Sequence, residues 1–298
     1  METDLSVVIV SWNVRELLHR CLISLAQSAR RSGLRLTIIV VDNASTDGSG
    51  EMVRSEFPEV HLVSAEQNLG FTAGNNLGLK ALCGTSFPQQ DGRPDQTSMH
   101  LCRGVLPPVI CFTNPDTEVV GDALVQMRNY LLAHPNVAVV GPRLLYPDGS
   151  AQPSRRRFPT LITAFLESTV LGERWRQHPA LRHYYMSDRP DNETQEVDWV
   201  VGACMAVRRE ALLQVGGFDE GFFMYSEELD WCRRAKASGW KVVYLPQATV
   251  LHHEGKSSEQ VPAVRHIHFQ ASKVRYFAKY HGPLVGEVVR LFLLTTYV

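Results

Sequence analysis

Several features are absent from this sequence, and each absence removes a class of protein. The six cysteines include no C-x-x-C pair, so we expect no zinc site and a reducing compartment fits best. No apolar run reaches the roughly 20 residues that span a bilayer, and no basic region precedes the first apolar segment. A cytoplasmic protein without a secretory signal is therefore expected. A bond between Cys83 and Cys102 is the alternative for an oxidising setting.

The sequence also lacks a net excess of positive or negative charge. The 298 residues carry a formal net charge of −1, which gives no indication of a nucleic-acid partner. The clearest basic run, Arg155–Arg157, fits either a solvated surface or a contact with phosphate. The hydrophobic content of 44% is ordinary for a soluble globular protein and is sufficient for a sizeable core.

What is present is an alternation of apolar, β-branched runs with segments of helical spacing. Leu5–Val10 predicts a buried strand, and Val14–Ala29 carries apolar residues at helical spacing. The alternation continues to residue 141, and it predicts an α/β fold with a mostly parallel central sheet flanked by helices. We expect further strands over 37–41, 61–64, 109–113 and 137–141, and further helices over 49–56, 72–82 and 122–133.

The second half of the chain is less regular. We expect strands over 199–207, 241–245 and 249–251, a helix over 208–215, and a helix from the N-cap Ser226 to residue 238. Residues 84–108 are polar and rich in turn-forming residues, which predicts a surface insertion, either functional or disordered. We divide the chain into a domain over 1–258 and a helical tail over 259–298. Within the tail, residues 284–298 either lie along a membrane surface as an amphipathic helix or pack on the core or on a partner.

Polar side chains follow the predicted strands where each strand ends. Ser11 and Asn13 follow the first strand, Asp42 ends the second, and Asn114 and Asp116 follow the fourth. In open α/β sheets, ligands bind beyond the carboxyl ends of the strands. If the sheet is parallel, these side chains converge on one crevice.

Two segments suit a nucleotide. Asp42 can accept a hydrogen bond from the ring N–H of a pyrimidine, although it can also cap the turn that follows it. The segment Asn68–Asn76, with Gly74 and Asn75, offers close backbone approach to a nucleotide or, alternatively, a tightly packed helix start. The segment has no G-x-G-x-x-G pattern, so a dinucleotide fold is not predicted.

Asp116 and His252 are the candidate metal ligands. Mg²⁺ and Mn²⁺ favour carboxylate oxygens, and few protein ligands are needed when phosphates supply the others. Asn114-Pro115-Asp116 looks like a D-x-D motif with an amide at its first position, but it is also a strong turn signal. We prefer His252 to its neighbour His253 because it follows a predicted strand directly.

Three acids open the helix after Ser226. Glu227, Glu228 and Asp230 could complement the helix macrodipole, yet three acids in four residues exceed what a helix start requires. One of them could act as the general base that removes a proton from a weak hydroxyl nucleophile.

Together these segments resemble a family-2 glycosyltransferase of the GT-A fold, of the bacterial rhamnosyltransferase kind. The resemblance covers nearly the whole chain. It is carried by residues 8–13, 41–45, 68–71, 114–117, 147–150, 155–159, 216–220, 222–225 and 227–230, and by His252 and Gly255.

The resemblance implies a nucleotide-sugar donor, Mg²⁺ or Mn²⁺, and inversion at the anomeric carbon. The donor would be dTDP-L-rhamnose or a UDP-sugar, and the acceptor a glycan or polyprenyl-linked sugar at the inner face of the plasma membrane. It implies that Asp42 contacts the base and that Asp116 and His252 hold the metal. It makes Glu228 the general base where the family usually has aspartate. Asp230 is the fallback base, and Trp199 and Gly202 line the donor–acceptor junction.

Two rival functions stay open at this point. A nucleotidyltransferase would usually have a glycine-rich, lysine-bearing loop after the first strand, whereas Ser11–Arg15 has neither residue type. A nucleotide-sugar sensor that kept the fold without turnover would differ only in activity.

Overall fold

A nine-stranded mixed sheet occupies the centre of the protein, with helices on both faces. The computed structural model describes residues 3–84, 106–168, 175, 177–255 and 260–296. The strands are β1 Leu5–Ser11, β2 Leu36–Asp42, β3 His61–Ser64, β4 Val109–Thr113, β5 Thr117–Val120, β6 Val137–Leu145, β7 Arg155–Arg156, β8 Gln195–Val197, β9 Trp199–Val200, β10 Cys204–Arg208 and β11 Lys241–His252. The helices are α1 Arg15–Ser32, α2 Ser49–Glu56, α3 Gly70–Cys83, α4 Ala123–Ala133, α5 Leu161–Glu167, α6 Pro179–Tyr184, α7 Arg209–Val215, α8 Glu227–Ala237, α9 Pro262–His281 and α10 Pro283–Thr296.

Most strands of the sheet run in one direction, as predicted. The order is β3-β2-β1-β4-β10-β6-β11-β5, with β8 also paired to β11, while β7 and β9 form a separate pair. The strands β1, β2, β3, β4, β6 and β11 run one way, and β5, β8 and β10 run the other. The register sets Ser11 opposite Asp42 and Ile9 opposite Thr113, so the carboxyl ends of β2, β1 and β4 are aligned.

The core lies on both faces of the sheet because side chains alternate along each strand. In β1, Val8 belongs to the hydrophobic cluster on one face, whereas Val7 and Ile9 belong to the cluster on the other. Both faces of β1 are therefore buried. A strand that is buried on both faces requires a continuous run of apolar residues.

The predicted helical tail consists of α9 and α10, which form a hairpin. Gly286 of α10 lies so close to Ala278 of α9 that a Cβ on the glycine would be 2.6 Å from the alanine Cβ. Tyr276 and Phe277 are each 1% exposed and join the same cluster as Val8. One face of the tail therefore packs on the core. The boundary at residue 258 stays a prediction.

Some sequence-based predictions of local structure were wrong. The predicted strand 199–207 is broken between β9 and β10 at residues 201–203. The two strands predicted over 241–251 form one strand, β11, with an irregular register between Leu245 and Thr249. Ser226 has a left-handed backbone (φ 66°) and forms no side-chain cap. The predicted insertion lies largely outside the described residues, and so does Cys102.

Candidate functional site

A cavity of about 380 Å³ opens at the carboxyl ends of β1 and β4, within the size range of small-molecule sites. Its walls come from loops after β1, β4 and β11, from the start of α8 and from α9. Six of the predicted site residues line it: Asn68, Asn114, Asp116, Gly202, Glu228 and His252. The other predicted site residues are not part of its lining: Ser11, Asn13, Asp42, Gly74, Asn75, Trp199 and Asp230.

The short antiparallel strand β5 brings the two predicted metal ligands together. It pairs with the end of β11, so that Thr117 lies opposite His252 and Asp116 lies directly before that pair. His252 Nε2 is 3.4 Å from Asp116 Oδ1 and 3.5 Å from Asn114 Nδ2. Both Asp116 and His252 are almost fully buried, and both line the cavity.

Gln152 fixes the orientation of the His252 ring. Its amide Nε2 donates to the backbone oxygen of His252 (2.8 Å), which leaves its Oε1 2.9 Å from His252 Nδ1. Because an amide oxygen only accepts, Nδ1 must carry the proton. The lone pair of a neutral ring then lies on Nε2, the nitrogen that faces Asp116.

This donor set fits a divalent cation that is also held by phosphate. Among the described residues, no group of three or more His, Cys, Asp or Glu side chains is arranged to hold a metal ion by itself. Asp116 and His252 supply one oxygen and one nitrogen donor. Mg²⁺ typically binds one or two carboxylates together with substrate phosphates. Asp116 and His252 can therefore hold the cation when a phosphate-bearing ligand supplies further oxygen donors.

Two of the acids that open α8, Glu227 and Glu228, also line the cavity. The backbone N–H of Gly202 donates to Glu228 Oε1 at 3.4 Å. A Cβ on Gly202 would be 3.4 Å from the Cβ of Glu228, so a side chain there would crowd the acid. Burial raises the pKa of Glu228 above its usual value. Glu227, which the sequence interpretation left without its own role, also lines the cavity and is 4% exposed.

Asp230 lies outside the cavity and connects α8 to the tail. Its carboxylate is fully buried and accepts from Arg234 Nε (2.8 Å), Lys279 Nζ (2.5 Å) and the Tyr280 hydroxyl (2.6 Å). A carboxylate that lies outside the cavity and accepts these three bonds is not placed to contact an acceptor hydroxyl. The fallback assignment of the base to Asp230 is therefore not used below.

The segments predicted to bind the nucleotide meet at one side of the cavity. Asn43 Nδ2 donates to Asn68 Oδ1 (2.8 Å), and the Leu69 N–H donates to Asn43 Oδ1 (2.9 Å). These bonds connect the end of β2 to the start of α3. Asp42 lies behind them, 8% exposed, and accepts from the Ser45 N–H (3.1 Å). The turn-capping alternative is thus realised, and base contact stays a prediction.

Ser11 and Asn13 flank this side of the cavity without lining it. The Ser11 hydroxyl is buried and has no partner among the described residues. Asn13 has a left-handed backbone (φ 52°), and its Oδ1 accepts from the Thr46 N–H (2.7 Å). The two loops that follow β1 and β2 are thereby held together.

Three further predicted residues serve packing. A Cβ on Gly74 would be 2.7 Å from Val10 Cγ1, so glycine permits close contact between α3 and β1. Asn75 is fully buried, and its amide donates to the Phe71 oxygen (2.9 Å). The Trp199 indole donates to the Arg157 oxygen (2.9 Å) and joins the core. Their predicted contacts with the donor have no part in the proposal below.

The sequence interpretation missed the contribution of α9. Arg265 and His268, one helical turn apart, line the cavity, and the His268 ring stacks on Phe223 with 4.3 Å between centroids. Among the described residues the Arg265 guanidinium has no hydrogen-bond or ion-pair partner. The sequence signal that could have identified these residues is their spacing: Arg265 and His268 are three residues apart and therefore lie on the same face of a helix. The segment was instead interpreted as part of a separate tail.

The comparisons with known proteins agree with this geometry. The family model "Glycosyltransferase like family 2" matches residues 3–266. An N-acetylglucosaminyl-diphospho-decaprenol L-rhamnosyltransferase of Mycobacterium tuberculosis is 32% identical over 263 residues, which are 88% of this chain and 80% of that protein.

Two solved structures share the fold. GalNAc-T7 with UDP, GalNAc and Mn²⁺ has a TM-score of 0.56 and 15% identity over 84% of this chain and 44% of that one. The mannosyltransferase PcManGT of Pyrobaculum calidifontis, with GDP-Man and Mn²⁺, has a TM-score of 0.56 and 18% identity over 94% of this chain and 64% of that one. Both likenesses confirm the predicted GT-A architecture. On the family match and the sequence identity, this chain belongs to glycosyltransferase family 2.

Proposed function

We propose that this protein is an inverting, metal-dependent glycosyltransferase that moves L-rhamnose from dTDP-L-rhamnose to a hydroxyl of a polyprenyl-linked or other glycan acceptor. The observation that carries the proposal is the convergence of Asp116, His252 and Glu228 on one cavity. The name of the mycobacterial relative supports both the sugar and the lipid-linked acceptor. The alternative donor is a UDP-sugar, because UDP is the nucleotide in the GalNAc-T7 structure.

In this proposal the donor occupies the side of the cavity formed by Asn68 and the loops after β1 and β2. Asp116 and His252 would hold Mg²⁺ or Mn²⁺. The cation would offset the negative charge that develops on the nucleoside diphosphate as it leaves. The Arg265 guanidinium, which has no ion-pair partner in the part of the chain that the structure describes, would add a second positive charge to the cavity.

Glu228 performs the proton transfer in this mechanism. Its carboxylate removes the proton from the acceptor hydroxyl while that oxygen attacks the anomeric carbon from the face opposite the diphosphate. The new C–O bond forms as the bond to the diphosphate oxygen breaks, which inverts the configuration. Burial raises the pKa of Glu228 above its usual value, which makes its carboxylate a stronger base than an exposed glutamate.

The outer face of the tail is proposed to contact a membrane that carries the acceptor. No helix in the described residues is long and apolar enough to cross a bilayer. On α10, Leu284, Val288, Leu291 and Leu294 are 51% to 82% exposed and follow helical spacing. The cations of the tail add little to this stripe, because Lys273, Arg275, Lys279 and Arg290 are in ion pairs. The proposed attraction is therefore burial of the apolar stripe at the membrane surface.

The test pairs each proposed metal ligand with a neighbour outside the cavity. Asp116→Ala and His252→Ala should each lower the rate of rhamnose transfer from dTDP-L-rhamnose about 100-fold or more, because the leaving group loses its charge partner. Glu118→Gln and His253→Gln are the matched controls, since their side chains pair with each other (2.8 Å) away from the cavity.

A thermal-shift screen of dTDP- and UDP-sugars with and without Mn²⁺ identifies the donor, because a ligand of the folded state raises Tm. Near-normal transfer by the Asp116 variant would refute the metal role. Loss of activity in the two control variants would indicate a general effect on folding instead.

A further inference from the structure

Glu227 is a buried acid that the reaction above leaves without a role. It is the first residue of α8 and directly precedes the proposed base, Glu228. Both side chains line the same cavity. Within the described residues, the Oε2 atoms of both carboxyls are buried and have no hydrogen-bond partner. Buried polar atoms nearly always have partners, so an unsatisfied oxygen on each of two adjacent acids calls for an explanation.

A purely structural role does not account for Glu227. The cations near the start of α8 are taken by its neighbour Asp230, which accepts from Arg234 and Lys279. Neither Glu227 nor Glu228 forms an ion pair with any described Lys, Arg or His. Complementing the helix macrodipole requires an acid near the helix start, and it does not require that acid to be buried in a ligand cavity.

We propose that Glu227 is a positioning residue: it stays a neutral carboxylic acid and donates its proton in a hydrogen bond to Glu228, so that the two buried side chains carry one negative charge. The inference rests on the proposed function of Glu228 as the base. The bond to Glu228 Oε2, together with the Gly202 N–H bond to Oε1, would hold the carboxylate in one orientation, with a lone pair left for the proton of the acceptor hydroxyl. The proton on Glu227 is not transferred during turnover, because Glu228 takes the proton of the acceptor.

The electrostatics of the cavity support a neutral Glu227. Burial raises the pKa of Glu227 well above its usual value, and the negative charges of Glu228 and Asp230 raise it further. Two carboxylates in one poorly solvated site do not ionise together readily. The other charged or titratable side chains that line the cavity are Asp116, Tyr225, His252, Glu254, Arg265 and His268.

The experiment compares two replacements of Glu227 over a range of pH. Glu227→Gln keeps a neutral donor at the same place, so it should retain at least a tenth of wild-type kcat at pH 7. The proposal also predicts that wild-type kcat falls as the pH rises through the raised pKa of Glu227, and that Glu227→Gln lacks this fall. Glu227→Leu has a similar volume but no donor, and it should lower kcat about 100-fold with little change in KM for the donor.

Two outcomes would overturn the proposal. If Glu227→Gln lost as much activity as Glu228→Gln, Glu227 would itself be the base. If both Glu227 variants kept the wild-type kcat and pH profile, Glu227 would have no part in the reaction.

A readout without turnover separates this inference from the proposed function. The infrared spectrum of the folded wild-type protein at neutral pH should contain a protonated-carboxyl band that disappears on alkaline titration and is absent in Glu227→Gln. A wild-type protein that transferred no sugar would refute the proposed function, while the band would still report the state of Glu227. Absence of the band in wild type would overturn the inference.

Discussion

At the scale of single residues, the proposed metal site depends on a contact made 100 positions away in the chain. Gln152 binds both the backbone and the ring of His252, and this double contact selects the tautomer with its lone pair on Nε2. Partners of this kind typically contribute 10- to 100-fold to metal affinity because they orient the ligand.

Removing that contact should weaken Mn²⁺ binding without removing a ligand. We expect Gln152→Ala to bind Mn²⁺ about 10- to 100-fold more weakly in the presence of dTDP, because the His252 ring loses its fixed orientation. Titration followed by electron paramagnetic resonance or calorimetry measures this directly. Gln195→Ala is the matched control, since Gln195 is equally buried (both 9% exposed) and contacts Pro190. Equal Mn²⁺ affinity in the two variants would contradict the orienting role.

The same residues indicate what sequence reasoning can reach at this scale. Asp116 and His252 could be singled out because each follows an apolar strand, and strand ends of a parallel sheet converge. Gln152 could not, because it lies in an irregular segment where no periodicity assigns a direction to its side chain. The proximity of Asp116 to His252 depends on the pairing of β5 with β11, a contact between segments that are distant in the sequence.

At the scale of elements, the loop before α8 is positioned by a glycine at the start of α3. Gly70 has a left-handed backbone (φ 80°), and a Cβ there would be 2.5 Å from the backbone oxygen of Phe223. The Phe71 N–H donates to that same oxygen at 2.9 Å. The start of α3 and the cavity wall around Phe223 are therefore in direct backbone contact.

Gly70→Ala should be much more damaging than an equivalent change elsewhere. We expect it to lower the free energy of unfolding by about 3 kcal/mol, from the left-handed backbone and the displaced loop together. Gly84→Ala is the control: it has the same kind of backbone (φ 63°), but no atom of the described residues lies within 4 Å of its Cβ position. It should cost only about 1 kcal/mol. Urea unfolding measures both, and equal costs would show that the contact with Phe223 is unimportant.

Element prediction succeeded where a segment is long or buried on both faces and failed where tertiary contacts decide. Continuous apolar runs identified β1 and β4 because both faces of these strands are covered. The break between β9 and β10 was missed because residues 199–207 are apolar on both sides of Gly202. At the break, the backbone oxygen of Ala203 accepts a hydrogen bond from the Asn114 N–H, and the Gly202 N–H donates to Glu228 Oε1. The four-residue strand β5 has too few residues to give a period.

At the scale of the whole molecule, the sequence left two alternatives for the tail, and the structure combines features of both. Buried Tyr276 and Phe277 attach α9 to the core, whereas the opposite face of α10 exposes a leucine-rich stripe. Composition alone could not separate these faces, because an amphipathic helix suits either a core or a membrane surface. The packing of Gly286 on Ala278 and the burial of Val289 and Leu293 determine which side of α10 faces inward.

The exposed stripe should bind membranes through its apolar side chains. We expect the protein to co-sediment with vesicles that contain an anionic lipid, and Leu284→Asp combined with Leu291→Asp should reduce the bound fraction more than tenfold. Burying a leucine side chain contributes roughly 1.5–3 kcal/mol, and each aspartate adds repulsion from the anionic surface. Leu132→Asp on α4 is the control because Leu132 is 43% exposed on another helix. Binding should change little at high salt, since the attraction is apolar and the cations of the tail are in ion pairs. If the Leu132 variant lost binding to the same extent, the attraction would be nonspecific and α10 would not be the contact surface.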